Sequence, residues 1–248
     1  MKEILPNQIT AVVLAGGFGT RVQQLLPDLP KPMAPVAGRP FLEWIVRYLA
    51  AQAIRRVILS TGHLAAVIEK HFRAQPVYGV NVSCVPETRP LGTAGGFLNA
   101  IRHASNPPAA WLVLNGDSLA AARLDEMVQS LAQPEMAGAL LGVPMPEAAR
   151  YGTISQNPKG ELAGFNEKKP GNGVINAGVY LFRAQTTGLF PDKMPLSFET
   201  DVFPALIARR ARLKVCVTNA PFLDIGTPAS LPLAENFIRR NAGCFEAP

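Results

Sequence analysis

Cysteine is scarce in this sequence, and the three present, Cys84, Cys216 and Cys244, are widely spaced with no Cys-x-x-Cys or Cys/His pattern. Neither a disulfide framework nor a thiolate zinc site is supported, and a reducing, cytoplasmic setting is the expectation. Histidine is equally rare: His63, His71 and His103 lack metal-ligand spacing and read as surface or packing residues. Of the two tryptophans, Trp44 and Trp111, both lie in apolar-patterned stretches, which favours a core role over a platform for stacking bases. The apolar run Ile9 to Ala15 is about half the length of a signal-peptide core, lacks a cleavage site and breaks at Gly16-Gly17. No stretch approaches the roughly 20 apolar residues of a membrane span. The basic pairs Arg55-Arg56, Arg209-Arg210 and Arg239-Arg240 form no stripe, so neither nucleic acid nor membrane is an expected partner.

What is present is the material of a globular core. Apolar residues make up 48% of the 248 and charged residues 17%, a composition that folds and leaves little for disordered tails. The balance of 24 − 18 = +6 suits partners that carry phosphate.

Ile9 to Ala15 is a continuous β-prone run ending at a double glycine, the pattern of a central strand buried on both faces. After a Pro-rich stretch, Phe41, Leu42, Ile45, Val46 and Leu49 recur at helical spacing. Strand (57–60), helix (65–72), strand (80–85), helix (95–103) and strand (111–114) continue the alternation. The expectation is an α/β protein with a largely parallel sheet covered on both faces. Further on, residues 139–143, 152–155, 162–166 and 174–182 are short β-prone runs separated by Gly, Pro and Asn, expected to add antiparallel strands to that sheet. A helical stretch (198–209), a strand (213–217) and a last helix from about 229 to 240 close the chain. With no linker or repeat in view, one domain over 1–248 is expected, with a first half (about 9–135) and a sheet-extending substrate half (about 136–248).

The chemistry concentrates in Leu14-Ala15-Gly16-Gly17-Phe18-Gly19-Thr20-Arg21, followed by Pro30-Lys31-Pro32-Met33. Glycines directly after a buried parallel strand let backbone N–H groups approach a phosphate, while Arg21 and Lys31 supply charge. The loop is not a P-loop, which would close with Gly-Lys-Ser/Thr. It is also a poor dinucleotide fingerprint, because Val22 stands where a third glycine or alanine belongs. That speaks against a nicotinamide-dependent oxidoreductase.

Here the sequence resembles the sugar-phosphate nucleotidyltransferase family, whose signature is an N-terminal strand, Gly-Gly-x-Gly-Thr-Arg and Pro-Lys-Pro. The likeness continues in order through residues 87–96 (E-T-R-P-L-G-T-A-G-G), Asn115-Gly116-Asp117, Glu167-Lys168, residues 176–180 (N-A-G-V-Y) and residues 224–228 (D-I-G-T-P). Within the family, residues 28–36 (D-L-P-K-P-M-A-P-V) are most similar to the D-glycero-α-D-manno-heptose 1-phosphate guanylyltransferases. The resemblance implies a Rossmann-like nucleotide-diphospho-sugar transferase fold, a three-layer sandwich around a mostly parallel mixed sheet. It also implies an enzyme that joins an NTP, here GTP, to a sugar 1-phosphate, here a manno-heptose 1-phosphate, releasing pyrophosphate with Mg²⁺ as cofactor. Such a product would serve a surface polysaccharide or glycoprotein.

Carried over residue by residue, the resemblance assigns Arg21, Lys31 and Asp117 to catalysis. Leu14, Ala15, Gly16, Gly17, Gly19, Thr20, Glu87, Gly92 and Thr93 fall to the nucleotide, and Gly152, Glu167, Lys168, Asn176 and Gly178 to the sugar phosphate. Asp117 and Asp224 are the implied metal ligands. Gln is common near the position of Thr93 in thymidylyl- and uridylyl-transferring members, and its absence leans toward guanine, whose N1–H and N2–H₂ donors an acceptor such as Glu87 could read.

The sequence departs from many relatives at Ser118–Arg123, which lacks their acidic and aromatic residues and is read as irrelevant to the metal. No hexapeptide repeat follows residue 240, so a β-helix domain is not expected. Transfer of another nucleotidyl group to another sugar, a non-catalytic nucleotide-sugar regulator on the same fold, and a homo-oligomer all stay open.

Overall fold

A computed structural model describes residues 4–17, 19–166 and 171–246 of the chain. Strand β1 (Ile9–Ala15) is the spine of a nine-stranded sheet. It is flanked in parallel by β4 (Arg56–Thr61) and β6 (Ala110–Asn115), and β5 (Asn81–Pro86) continues the parallel block beyond β4. The intervening helices are α1 (Phe41–Ala51), α2 (Ala65–Ala74) and α3 (Thr93–Arg102). A two-residue hairpin, β2 (Pro35–Val36) and β3 (Arg39–Pro40), leads into α1.

Side chains on β1 alternate between two cores. Ile9, Ala11, Val13 and Ala15 join a layer with Phe41, Ile45 and Leu49 of α1 and Ile68 of α2. Val12 faces the opposite layer with Ala94, Phe97 and Ala100 of α3. A strand buried on both faces is apolar almost throughout, with Thr10 the one buried polar residue of β1, which is why residues 9–15 show no polar alternation. At about 2 kcal/mol for each large apolar side chain removed from water, these layers fix β1 at the centre.

The second half adds the antiparallel strands expected of it. After β7 (Ser118–Ala120) and α4 (Asp125–Ser130) come β8 (Met136–Met145), β9 (Thr153–Gln156), β10 (Leu162–Asn166) and β11 (Gly173–Arg183). β11 runs antiparallel to β6 and to β8, joining the two halves in one sheet, and the β9–β10 hairpin extends from its start. β12 (Arg212–Val217) pairs with β8 in parallel. β13 (Phe222–Asp224) pairs with β7 in a small separate sheet.

Two expectations change. The helical stretch after Ser197 is a π turn (Phe198–Val202) followed by α5 (Phe203–Ala208), and the last helix, α6 (Ala234–Arg240), begins five residues later than its sequence pattern indicates. A 3₁₀ turn at Leu231–Leu233, with proline in its first turn, takes up the difference. Trp111 is buried edge-on to Phe97 at 6.2 Å, while Trp44 packs on Phe245 and donates its indole N–H to Val36 O at 2.8 Å. Among the described residues no helix is long and apolar enough to cross a membrane.

Candidate active site

From β1 the chain moves outward to β4 and β5, then returns to β6 on the other side of β1. That reversal opens a crevice at the carboxyl ends of β1 and β6, the place where open α/β sheets bind ligands. Gly16-Gly17 follows β1, Gly116-Asp117 follows β6, and the Gly116 N–H bonds to Leu14 O at 2.9 Å. A cleft of about 330 Å³ lies there. Of the expected nucleotide residues, Leu14, Ala15, Gly16, Gly17, Glu87, Gly92 and Thr93 line it, together with Lys31 and Asp117. Asn115, Pro32, Pro90 and Leu91 line it too.

Gly19, Thr20 and Arg21 are placed differently. Gly19 adopts a positive φ with its backbone packed on the Lys31 side chain, whereas Thr20 and Arg21 are exposed outside the cleft lining. Lys31 begins a 3₁₀ turn (Lys31–Met33) whose Pro32 and Met33 are buried, so its stem is anchored. Its side chain is 13% exposed, and the ammonium is ion-paired with Asp117. A partly exposed pair contributes only about 1 kcal/mol to stability, so its significance is the placement of charge.

Glu87 is held at the cleft wall. Ser60 donates to Oε1 at 3.1 Å and the Leu91 N–H to Oε2 at 3.3 Å, and the carboxylate fills space beside Gly16 and Gly96 that a Cβ at either position would take. Both oxygens keep lone pairs beyond these bonds.

The loop from Leu91 to Thr93 is clamped by the segment that precedes the π turn. Leu196 donates its N–H to Leu91 O at 2.8 Å, and its carbonyl accepts from the N–H groups of Ala94 and Gly95, both at 3.0 Å. This satisfies the first orphan donors of α3. The Thr93 hydroxyl accepts from the Phe198 N–H at 2.9 Å and donates to Glu199 Oε2 at 3.2 Å. Thr93 therefore lines the cleft with its hydroxyl already engaged, a use that the sequence alone does not reveal.

Of the segment 118–123, read as irrelevant to the metal, residues Ser118–Ala120 form β7, which pairs with β13 so that Ser118 stands opposite Asp224. The Ile225 N–H donates to Asp117 O at 2.9 Å. Two aspartates more than a hundred residues apart in sequence thus come from neighbouring strand ends. Asp224 Oδ1 accepts from the Gly226 N–H at 2.5 Å, and Oδ2 lies 3.8 Å from the Arg150 guanidinium. Arg150, which no sequence motif marks, also stacks over the Tyr151 ring at 5.6 Å. Burial, reinforced by the Asp224 charge, raises the Tyr151 hydroxyl above its ordinary pKa.

Among the described residues no group of three or more His, Cys, Asp or Glu could hold a metal ion. Asp117 and Asp224, the two residues expected to bind one, carry hard carboxylate oxygens, the donor type that suits a cation such as Mg²⁺, which fills its remaining positions with water and phosphate oxygens.

Where the sugar phosphate is expected, β11 leaves its ladder with β8 at Asn176 and resumes it at Tyr180. The irregularity carries Gly178, whose φ of +72° and close approach to Asn115 leave no room for a side chain. Asn176 donates its N–H to Gly152 O at 2.9 Å, and its Oδ1 accepts from the Gly178 N–H at 3.0 Å. Gly152, Asn176 and Gly178 are therefore brought together, with Gly178 against the cleft residue Asn115. Glu167 and Lys168 lie outside the described residues.

A family model for nucleotidyl transferases matches residues 10–241. The chain is 34% identical over 239 residues to mannose-1-phosphate guanylyltransferase of Mycobacterium tuberculosis, an alignment that covers 95% of this chain and 64% of that protein. It is 32% identical over 219 residues to D-glycero-alpha-D-manno-heptose 1-phosphate guanylyltransferase of Campylobacter jejuni, covering 88% of this chain and 95% of the relative. Among solved structures, HddC from Yersinia pseudotuberculosis complexed with GMP-PN superposes with a TM-score of 0.78 at 30% identity, covering 92% of this chain and 99% of that one.

Proposed function

Because this chain belongs to the nucleotidyl transferase family, we propose that it transfers a guanylyl group from GTP to a manno-configured sugar 1-phosphate, a manno-heptose 1-phosphate foremost, giving a GDP-sugar and pyrophosphate. The observation that carries this reading is the convergence of the Gly16-Gly17 backbone, Lys31 and Asp117 at the β1/β6 crevice. Guanine as the base rests on Glu87 as a fixed acceptor in the cleft wall, and on relatives named as guanylyltransferases. The heptose rests on relatives named as D-glycero-alpha-D-manno-heptose 1-phosphate guanylyltransferases, 32% and 33% identical to this chain over 219 residues each.

In the proposed reaction a phosphate oxygen of the sugar 1-phosphate attacks the α-phosphorus of GTP, the α–β P–O bond breaks, and pyrophosphate leaves with the electron pair. A phosphate monoester with a second pKa of about 6 is already ionised at neutral pH, so no protein base has to activate it. The task left to the chain is positioning and neutralisation of charge. The N–H groups of Gly16 and Gly17 and the Lys31 ammonium are assigned to the triphosphate, and Arg21, exposed outside the cleft lining, to its outer phosphates. Gly152, Asn176, Gly178, Glu167 and Lys168 receive the sugar phosphate. Asp117 and Asp224 would hold Mg²⁺, which when bound supplies positive charge to the phosphate oxygens.

Turnover of GTP, UTP, dTTP, ATP and CTP against mannose 1-phosphate and D-glycero-α-D-manno-heptose 1-phosphate tests the proposal. GTP with the heptose phosphate should lead. A preference for UTP would overturn the base assignment, and a preference for another sugar phosphate the acceptor.

A further inference from the structure

Between the nucleotide side and the sugar side of the cleft runs a polar chain that the proposed reaction does not use. Glu199, in the π turn, accepts three hydroxyl protons: from Ser197 and Thr93 on Oε2, at 2.8 and 3.2 Å, and from Tyr180 on Oε1, at 3.2 Å. The Tyr180 oxygen in turn accepts from Asn176 Nδ2 at 2.7 Å. Every proton in this chain has one direction. Thr93 accepts from the Phe198 N–H and so gives its own proton to Glu199; Ser197 accepts from the Glu199 and Thr200 N–H groups and does likewise. Tyr180 is filled by Asn176 and donates outward. The two carboxyl oxygens of Glu199 thus receive all three hydroxyls.

The ends of the chain matter more than its middle. Thr93 lines the nucleotide cleft at the start of α3, and Asn176 fixes the Gly178 N–H and the Gly152 carbonyl on the opposite half. Tyr180 is fully buried, and its ring packs on Phe198 and Phe203, at 5.1 and 4.9 Å, so the link has little freedom to shift at one end alone. Burial, with the Glu199 charge adding to it, raises the Tyr180 hydroxyl well above its ordinary pKa, which keeps it a donor.

We infer that Glu199 is a positioning residue that couples the two substrate subsites, tying the nucleotide loop at Thr93 to the sugar-side strand at Asn176 through Tyr180. The inference rests on the functional reading above, in which Thr93 borders the nucleotide and Asn176 the sugar phosphate. Filling one subsite then restrains the loop or strand that the other must order, and the second substrate binds more tightly. Linkage makes the effect reciprocal: each substrate tightens the other by the same factor.

The test is titration of the full chain, in Mg²⁺, with a non-hydrolysable GTP analogue, with and without saturating sugar 1-phosphate, the mannose or heptose compound that supports turnover. The wild-type dissociation constant should fall about 10-fold when the sugar phosphate is present. In Glu199→Gln one acceptor becomes a donor facing hydroxyl protons, and the ratio should collapse to within about 2-fold of unity. Tyr180→Phe keeps the packed ring while cutting the same link, and it should lose coupling equally if Glu199→Gln proves too unstable to assay. A merely structural role would lower the melting temperature and weaken each binary complex while leaving the ratio alone. Retained coupling in both variants, or no coupling in a turning-over wild type, overturns the inference while the functional reading stands. A wild type that turns over neither sugar phosphate overturns both.

Discussion

Ile225 donates its main-chain N–H to the carbonyl oxygen of Asp117 at 2.9 Å, and this bond extends the β7–β13 ladder to the two aspartates assigned to the cation. The relative placement of Asp117 and Asp224, the proposed metal pair, therefore depends on backbone pairing between segments far apart in the chain. Asp117→Asn and Asp224→Asn are each expected to reduce turnover by about three orders of magnitude, roughly 4 kcal/mol of barrier, with melting temperatures changed by only a few degrees. Pyrophosphate release and thermal melting check this together; turnover near the wild-type rate in both variants would remove the two residues from the cation site.

If the ladder positions Asp224, disturbing it should cost activity without removing either carboxylate. Leu223→Pro deletes an N–H from β13, where Leu223 stands opposite Leu119. A displacement of about 1 Å at the reacting groups is worth about 100-fold in rate, and a loss of that order is expected in steady-state assays at saturating cation. An unchanged rate would show that the pairing does not set the site.

Much of this arrangement could be read from the residues. The run from Ile9 to Ala15 and the helical spacing of Phe41, Ile45 and Leu49 declare themselves because long elements repeat a pattern. β7, β13 and α4 do not: three-residue strands and a six-residue helix are too short to show a period, and Ala120 and Ala122 carry small side chains that are nonetheless buried. The cleft-lining glycines were legible from their place after a buried strand. Asn115 is marked by its motif but without a role, while the engaged hydroxyl of Thr93 and Arg150 beside Asp224 were not legible, since each depends on a partner supplied by tertiary packing. For Glu199 one local signal did exist. Ser197 caps the following turn by accepting from the N–H groups of Glu199 and Thr200, a role its residue type favours.

Gly92 has a φ of +79°, and a methyl group there would lie 2.4 Å from Leu196 O. Gly92→Ala is expected to cost about 2 kcal/mol in denaturant unfolding. It should raise KM for the NTP more than KM for the sugar phosphate, because the strain falls on the nucleotide loop. Equal rises would place the loop elsewhere in the mechanism.

Away from the cleft, Glu43 sits buried between α1 and α2, with Arg39 and Arg47 on Oε1 at 2.7 and 2.9 Å and His71 on Oε2 at 2.9 Å. Burial raises its carboxyl pKa, but the hydrogen bonds from Arg47, His71 and Arg39 outweigh it and leave the group below its ordinary 4.5. A carboxylate depressed by folding contributes stability above its unfolded pKa and loses it as pH falls through the folded value. Glu43→Gln should therefore destabilise the chain by about 3 kcal/mol at pH 7, and that deficit should shrink below about pH 4 in urea titrations. A deficit that does not vary with pH would contradict the ionic role.

The most direct measurement is pyrophosphate release from GTP and D-glycero-α-D-manno-heptose 1-phosphate, with Mg²⁺ and again after chelation, beside the four other NTPs. Release that favours GTP and stops with the chelator is the expected result. No release from any NTP, or release that persists undiminished in chelator, would contradict a guanylyl transfer built on Lys31, Asp117 and Asp224.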